Sequence, residues 1–293
     1  MTTHNRVLGF IGGSGVYSVD ALEGAEKLVM PTPWGDPSDA LVRGVMKGVD
    51  VIFLARHGKG HRLPPGAINY RANIDAMKRA GATDIISISA CGSFREDLPP
   101  GSFVMVDQFI DRTTNREKSF FGPGFVAHVS MARPVCPALS EALAASCAAL
   151  DISHYRGGTY IAIDGPQFSS QAESKLYRAW GCDVIGMTNM PEAKLAREAE
   201  LPYASVAMVT DYDCWRETEA PVEVGKILET LKLNTANAAK LVGDVAVRLG
   251  KTRSLSPTGA EHALDMAVIT APAARDPEMM KKLDAVAGRV FRR

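Results

Sequence analysis

VLGFIGGSG, residues 7–15, is an apolar run that ends in glycines around a single hydroxyl. An apolar stretch without polar alternation suits a strand buried on both faces, and the glycines beyond it let the chain turn at once. The same grammar recurs. VIFLA (51–55) runs into Arg56-His57-Gly58, and IISIS (85–89) into Ala90-Cys91-Gly92-Ser93. YIAI (160–163) runs into Asp164-Gly165-Pro166, and YASVAMV (203–209) into Thr210-Asp211-Tyr212-Asp213. Helical periodicity fills the gaps. Ile74 and Met77 share a face, with Asp75, Lys78 and Arg79 on a wet side, and Leu139, Leu143, Cys147 and Leu150 step at three or four residues. Val224, Ile227, Leu228 and Leu231 do the same in the longest predicted helix. Alternating β and α units predict an α/β fold, a single domain with a mainly parallel or mixed central sheet flanked by helices. Several strands then deliver small or polar residues to one rim, where open α/β sheets bind ligands.

Around that frame, residues 1–250 read as one domain and 251–293 as an appendage. The appendage starts with a polar linker (251–257) and carries a last helix over 277–290. The 293 residues hold 33 Lys+Arg against 33 Asp+Glu, so no basic surplus exists to steer the chain onto nucleic acid. At 46% hydrophobic and 23% charged, the composition also excludes a disordered tail. The longest stretch free of Asp, Glu, Lys and Arg, residues 119–132, falls short of the roughly 20 apolar residues of a bilayer span. The N-terminus lacks the apolar block of a signal peptide. Cys91, Cys136, Cys147, Cys182 and Cys214 form no C-x-x-C pair, which favours a reducing cytoplasm over a disulfide scaffold.

Four motifs carry chemistry, each with a plainer reading beside it. Gly12-Gly13-Ser14-Gly15 after a strand fits an anion held by backbone N–H groups and a hydroxyl, or a tight structural turn. It is not a dinucleotide fingerprint, because Ser18 stands where that pattern needs glycine. Residues 56–62 (RHGKGHR) fit an oxyanion gripped by an arginine fork, or a solvated basic loop. No acidic or thiol partner beside His57 and His61 suggests a metal. Asp211 and Asp213, at i and i+2 after an apolar strand, point to one side if the segment stays extended. Buried together, they would hold a proton near neutral pH; left in a loop, they are two solvated charges. Phe168 is either a stacking platform or core, and Cys214 has no assured histidine to make it a nucleophile.

Taken in order, GGSG, ARHGKGH, NYRANI, ACGS, DQFIDRT, GPQFSSQAES, GMTNMPE and TDYDCW resemble the nucleoside phosphorylase family. Within it they are most similar to the trimeric branch acting on 5′-methylthioadenosine. The resemblance implies a phosphate site on Ser14, Arg56, His57, Ser89, Ala90 and Thr188. It implies substrate contacts from Phe168, which would stack on the purine, from Met187 at the ribose, and from Asp211, Tyr212 and Asp213. Asp211 and Asp213 would be the catalytic acids. Ser169, Val224, Leu228 and His128 would set substrate choice, with Val224, Ile227 and Leu228 forming an apolar slot and His128 lent by a neighbouring subunit. Leu264, Met266 and Ile269 are candidates for closing a neighbour's pocket. Asp164 stands where relatives usually have Glu, and Gln167 and Gln171 where they have Arg. The implied protein is a cytoplasmic homotrimer of purine and methionine salvage with no cofactor and no metal, inorganic phosphate being a co-substrate. Its expected partners are a small nucleoside and phosphate, with no nucleic acid and no membrane. A purine nucleoside or methylthioinosine phosphorylase, a hydrolytic nucleosidase and a non-catalytic nucleotide-binding module remain as rival readings.

Overall fold

The computed structural model describes residues 4–13, 22–216 and 224–291, apart from the side chains of residues 224, 226 and 227. Ser14 and the side chains of Val224 and Ile227 therefore lie outside the described residues. In chain order the strands are β1 (His4–Asn5), β2 (Val7–Gly12), β3 (Glu23–Leu28), β4 (Leu41–Met46), β5 (Val49–Ala55), β6 (Asp84–Ser93) and β7 (Phe103–Val106). They continue with β8 (Gln108–Asp111), β9 (His154–Arg156), β10 (Thr159–Ala162), β11 (Val184–Gly186), β12 (Tyr203–Asp211) and β13 (Thr252–Arg253). The helices are α1 (Tyr70–Arg79), α2 (Pro137–Ala149), α3 (Gln171–Ala179), α4 (Asn189–Glu198), α5 (Val224–Leu249), α6 (Pro277–Lys282) and α7 (Gly288–Phe291).

The large sheet is mixed, as the run-and-turn pattern predicts. Its order is β3-β4-β5-β2-β6-β11-β10-β8, with β12 also pairing with β6 and β7, and β9 pairing with β7. β6 is the branch point: its first half lies parallel to β2 and its last two residues run antiparallel to β11. Along most of its length it is also parallel to β12. A strand shared this way has no polar face, which is why IISIS reads as a continuous apolar run. One side of the sheet is covered by α1 and α4, through Ile74, Met77, Ala193 and Leu195. The other is covered by α2 and α5, through Leu139, Leu143, Leu241 and Val245.

Three expectations are corrected. Asp75 is buried, not wet: it accepts a hydrogen bond from Trp34 Nε1 (3.3 Å) and pairs with Arg79 one turn on. The polar segment after Lys251 is no loose linker. Thr252–Arg253 pairs antiparallel with His4–Asn5, and Arg253 lies 3.3 Å from the buried Asp84 carboxylate. The last predicted helix is interrupted between α6 and α7, and the interruption places Leu283, Val286 and Ala287 in the same core as α1 and α4. Leu264 joins them, fully buried, while Met266 and Ile269 are exposed.

Candidate active site

The polar ends of the parallel strands β2, β5, β6 and β12 open into a cavity of about 660 Å³. It gathers ten of the residues singled out from sequence: Arg56, His57, Ser89, Ala90, Phe168, Ser169, Met187, Thr188, Asp211 and Asp213. The residues come from five separate parts of the chain, and only the sheet brings them together.

At one end stands Arg56, wholly buried despite its charge. Its Nε donates to Glu192 Oε2 (2.7 Å), and Nη2 donates to Glu192 Oε1 (3.1 Å), Ser87 Oγ (2.6 Å) and the Ile11 carbonyl (3.1 Å). Nη1 donates to the Ile88 carbonyl (3.1 Å). The expected arginine fork is therefore spent on Glu192, which leaves one Nη1 hydrogen without a protein acceptor among the described residues. Burial alone would lower the Arg56 pKa, but Glu192 outweighs it and keeps the guanidinium protonated. Tyr203 adds its hydroxyl to Glu192 Oε1 at 3.0 Å. His57, which the resemblance assigns to the phosphate site, brings no charge to it. Its Nδ1 donates to the Leu63 carbonyl (2.8 Å), its ring stacks on His61 at 4.0 Å, and burial pulls its pKa to about 4. At neutral pH it presents an uncharged imidazole with a lone pair on Nε2. Beside them Ser89 Oγ donates to Asn189 Oδ1 (3.2 Å) and must turn to face an anion, while Thr188 is buried at the cavity wall.

At the other end β12 carries a bulge between Val209 and Asp211, which re-aims Asp211 into the cavity. Thr210 Oγ1 donates to Asp211 Oδ2 (2.7 Å) and the Asp213 amide donates to Asp211 Oδ1 (2.8 Å). The two carboxylates converge through this turn, with Asp213 in the left-handed region (φ 52°), and not through the extended i, i+2 alternation expected. Gly92 makes room for them: a Cβ there would meet Asp211 Oδ1 at 3.0 Å and Asp213 Cβ at 3.2 Å. Burial pushes the Asp213 carboxyl up to about 6, against the nearby Ser174 hydroxyl, and the Asp211 charge adds to the rise. Burial raises Asp211 as well, against its hydrogen bonds from Thr210 and Asp213. Asp213 Oδ2 is buried without a hydrogen-bond partner.

Two residues expected at the cavity, Tyr212 and Leu228, are elsewhere, and His128, expected to be lent to a neighbour, does not line this one. Tyr212 faces outward: its hydroxyl donates to the Glu96 carbonyl (3.3 Å), and the Arg216 guanidinium stacks 3.5 Å from its ring. Leu228 is exposed and lines a separate shallow hollow, while its helical neighbours Leu231 and Thr235 reach the main cavity. His128 is exposed, its amide donating to the Ala267 carbonyl (2.8 Å). Cys214 donates to the Ser169 carbonyl (3.1 Å), and burial raises its pKa, which keeps it a thiol. Sequence reasoning passed over Glu192 and Thr210. Nothing local marks Glu192, which meets Arg56 across more than a hundred residues. No group of three or more His, Cys, Asp or Glu able to hold a metal occurs among the described residues, and no described helix is long and apolar enough to cross a membrane.

A mixed α/β sheet whose strand ends enclose a guanidinium at one end of a cavity and paired acids at the other belongs to a recognisable class. The chain is a member of the phosphorylase superfamily, which it matches over residues 7–247. Among its relatives, it is 59% identical over 286 residues to the S-methyl-5′-thioadenosine phosphorylase of Bradyrhizobium diazoefficiens, covering 98% of each chain. It is 57% identical to that of Rhodospirillum rubrum over 285 residues, 97% of each chain. Its structure is similar to that of a methylthioadenosine phosphorylase from an antarctic soil metagenomic library, with a TM-score of 0.89 and 43% identity over 97% of this chain and 99% of that one. The Schistosoma mansoni methylthioadenosine phosphorylase in complex with adenine gives a TM-score of 0.78 at 37% identity, over 82% and 90% of the two chains.

Proposed function

We propose that the protein uses inorganic phosphate to cleave the N-glycosidic bond of S-methyl-5′-thioadenosine, giving adenine and 5-methylthioribose 1-phosphate. The observation that carries this reading is the buried, unpartnered Asp213 Oδ2 beside a second raised carboxyl, facing a buried guanidinium across one cavity. An unpaired buried acceptor costs about 1–3 kcal/mol, and the N6–H of a 6-amino purine satisfies it. A 6-oxo purine brings a second acceptor instead. Full-length similarity to S-methyl-5′-thioadenosine phosphorylases supports the same substrate.

In this mechanism the base lies against Phe168, with Asp213 accepting from N6–H and Asp211 holding a proton at N7, so that adenine leaves neutral. Met187 contacts the ribose. As the bond breaks, positive charge spreads over the sugar ring and C1′. The remaining Arg56 N–H, with the Ser89 and Thr188 hydroxyls and the Ala90 amide, holds phosphate beneath C1′, where its charge balances the developing cation. The oxygen of phosphate that forms the C1′–O bond takes over as the C1′–N9 bond releases its electron pair to the protonated purine. Leu231 supplies apolar surface for the methylthio group, whose burial is favourable, whereas a 5′-hydroxyl would lose water there.

The proposal extends to assembly and setting: a cytoplasmic homotrimer serving purine and methionine salvage, without metal or organic cofactor. His128, exposed beside the exposed Met266 and Ile269, would complete a neighbouring cavity in that trimer. The test is adenine release with and without phosphate, across methylthioadenosine, adenosine, inosine and methylthioinosine. Phosphate-dependent release from the 6-amino substrates alone is expected. Equal rates without phosphate would point to a hydrolase, and equal efficiency with methylthioinosine would remove the role given to Asp213.

A further inference from the structure

Arg116 stands outside the cavity, in the segment between β8 and α2, and its side chain is almost completely buried. Its Nη1 donates to the carbonyls of Met187 and Met190, each at 2.7 Å, and to the Tyr70 hydroxyl at 3.1 Å. Its Nη2 donates to the carbonyls of Asp164 (2.9 Å) and Ile163 (3.3 Å). The nearest carboxylate, Asp164 Oδ1, is 3.5 Å from Nε, and Asp164 Oδ2 is already engaged by the amide and hydroxyl of Thr114. The charge is balanced chiefly by four backbone carbonyls, an unusual use of a buried arginine, since burial of a guanidinium is tolerated only where its donors are met.

Those carbonyls belong to two different walls of the cavity. Ile163 and Asp164 open the loop that presents Phe168 and Ser169; Met187 and Met190 flank Thr188. Tyr70 passes the link to a third wall, because its hydroxyl donates to the Pro65 carbonyl at 3.1 Å. We propose that Arg116 is a positioning residue: one planar guanidinium sets the gap between the wall for the base and the wall for ribose and phosphate. This inference rests on the substrate reading above for what each wall holds. Only a fork can do the work, since one terminal nitrogen serves Met187 and Met190 while the other serves Ile163 and Asp164. A lysine ammonium at the same place reaches one wall and releases the other.

The experiment compares the wild-type enzyme with Arg116→Lys and Tyr70→Phe in initial-rate kinetics, varying nucleoside and phosphate separately. Calorimetric adenine binding and circular dichroism accompany each variant. With the walls uncoupled, Arg116→Lys is expected to raise KM for both substrates and to lower kcat/KM by about a hundredfold, the scale of a misplacement of about 1 Å. Tyr70→Phe, which removes no charge, is expected to raise both KM values by about two- to threefold. A residue that only supports the fold would reduce the active fraction, lowering kcat at unchanged KM. Unchanged KM values in folded Arg116→Lys overturn the proposal, as does a shift in only one of them. If Arg116→Lys does not fold, Tyr70→Phe decides, and unchanged KM values there overturn it equally. A wild-type enzyme that binds adenine but needs no phosphate would instead overturn the reading of the reaction.

Discussion

Replacing Glu192 by glutamine isolates the electrostatic arrangement beneath the phosphate end. The substitution keeps the shape and one acceptor, but it removes the charge that faces Arg56 at 2.7 Å and sets an amide N–H₂ against Nη2 or against the Tyr203 hydroxyl. Breaking a buried pair from one side typically costs about 3–5 kcal/mol, because the surviving charge stays in a dry site. The lower end applies here, about 3 kcal/mol, since Ser87 and the Ile11 and Ile88 carbonyls still receive Arg56. At about 2–4 °C per kcal/mol for a domain of this size, Tm should fall by about 6–12 °C. The variant also leaves Arg56 with charge to offer an anion. At a phosphate concentration a hundred times the wild-type Kd, which stabilises the wild type by roughly 2.7 kcal/mol, the variant should therefore gain more. Thermal unfolding by circular dichroism, with and without phosphate, reads both effects. A fall of less than about 2 °C, or equal stabilisation of both proteins by phosphate, would refute the reasoning.

Asp211→Asn should reduce turnover of methylthioadenosine by at least about tenfold, because the N7 proton loses its holder, and steady-state kinetics decide it. Gly92→Ala should raise KM for the nucleoside and leave KM for phosphate unchanged, since the new Cβ presses on Asp211, Asp213 and Ile185 at the base end. Stability should also depend on Glu198, whose carboxyl accepts from Ser119 Oγ and the Phe120 amide (both 2.7 Å) and is pushed by burial to about 7. A raised folded-state pKa means this group's contribution is fully present below its ordinary value of 4.5 and is lost as pH rises through about 7. Glu198→Gln should therefore gain on the wild type between pH 5 and pH 8, by about 3 kcal/mol at most, as read by denaturant titration at each pH.

Much of the fold was legible because its signals are local. Each of the runs at 7–11, 51–55, 85–89 and 203–209 is a strand buried on both faces, and each ends in residues that reach the rim. The acids at 211 and 213 were legible as residues but not as geometry, since a bulge and a left-handed turn, rather than strand alternation, bring them together. What sequence hid is pairing over distance. Nothing near Arg56 reveals that Glu192 consumes its fork, and nothing near Asp75 shows that Trp34, 41 positions earlier, receives it inside. The start of α5 misled in the opposite direction: Leu228 keeps helical apolar spacing yet stays exposed, while the buried stripe begins further on with Ala238, Leu241 and Val242. Periodicity reports a face, and only the neighbouring elements decide whether that face is covered.

The seating of Leu283, Val286 and Ala287 against α1 bears on how the chain is made. Arg79, at the end of α1, donates from Nη1 to Asp284 Oδ2 (3.2 Å) across 205 positions. Because synthesis runs from the N-terminus, a helix finished early must wait for residues some 205 positions later to leave the ribosome before its side of the sheet is sealed. Until then the nascent chain displays an open apolar seam, and a stop codon arriving ahead of Leu283 would leave that seam permanently unclosed.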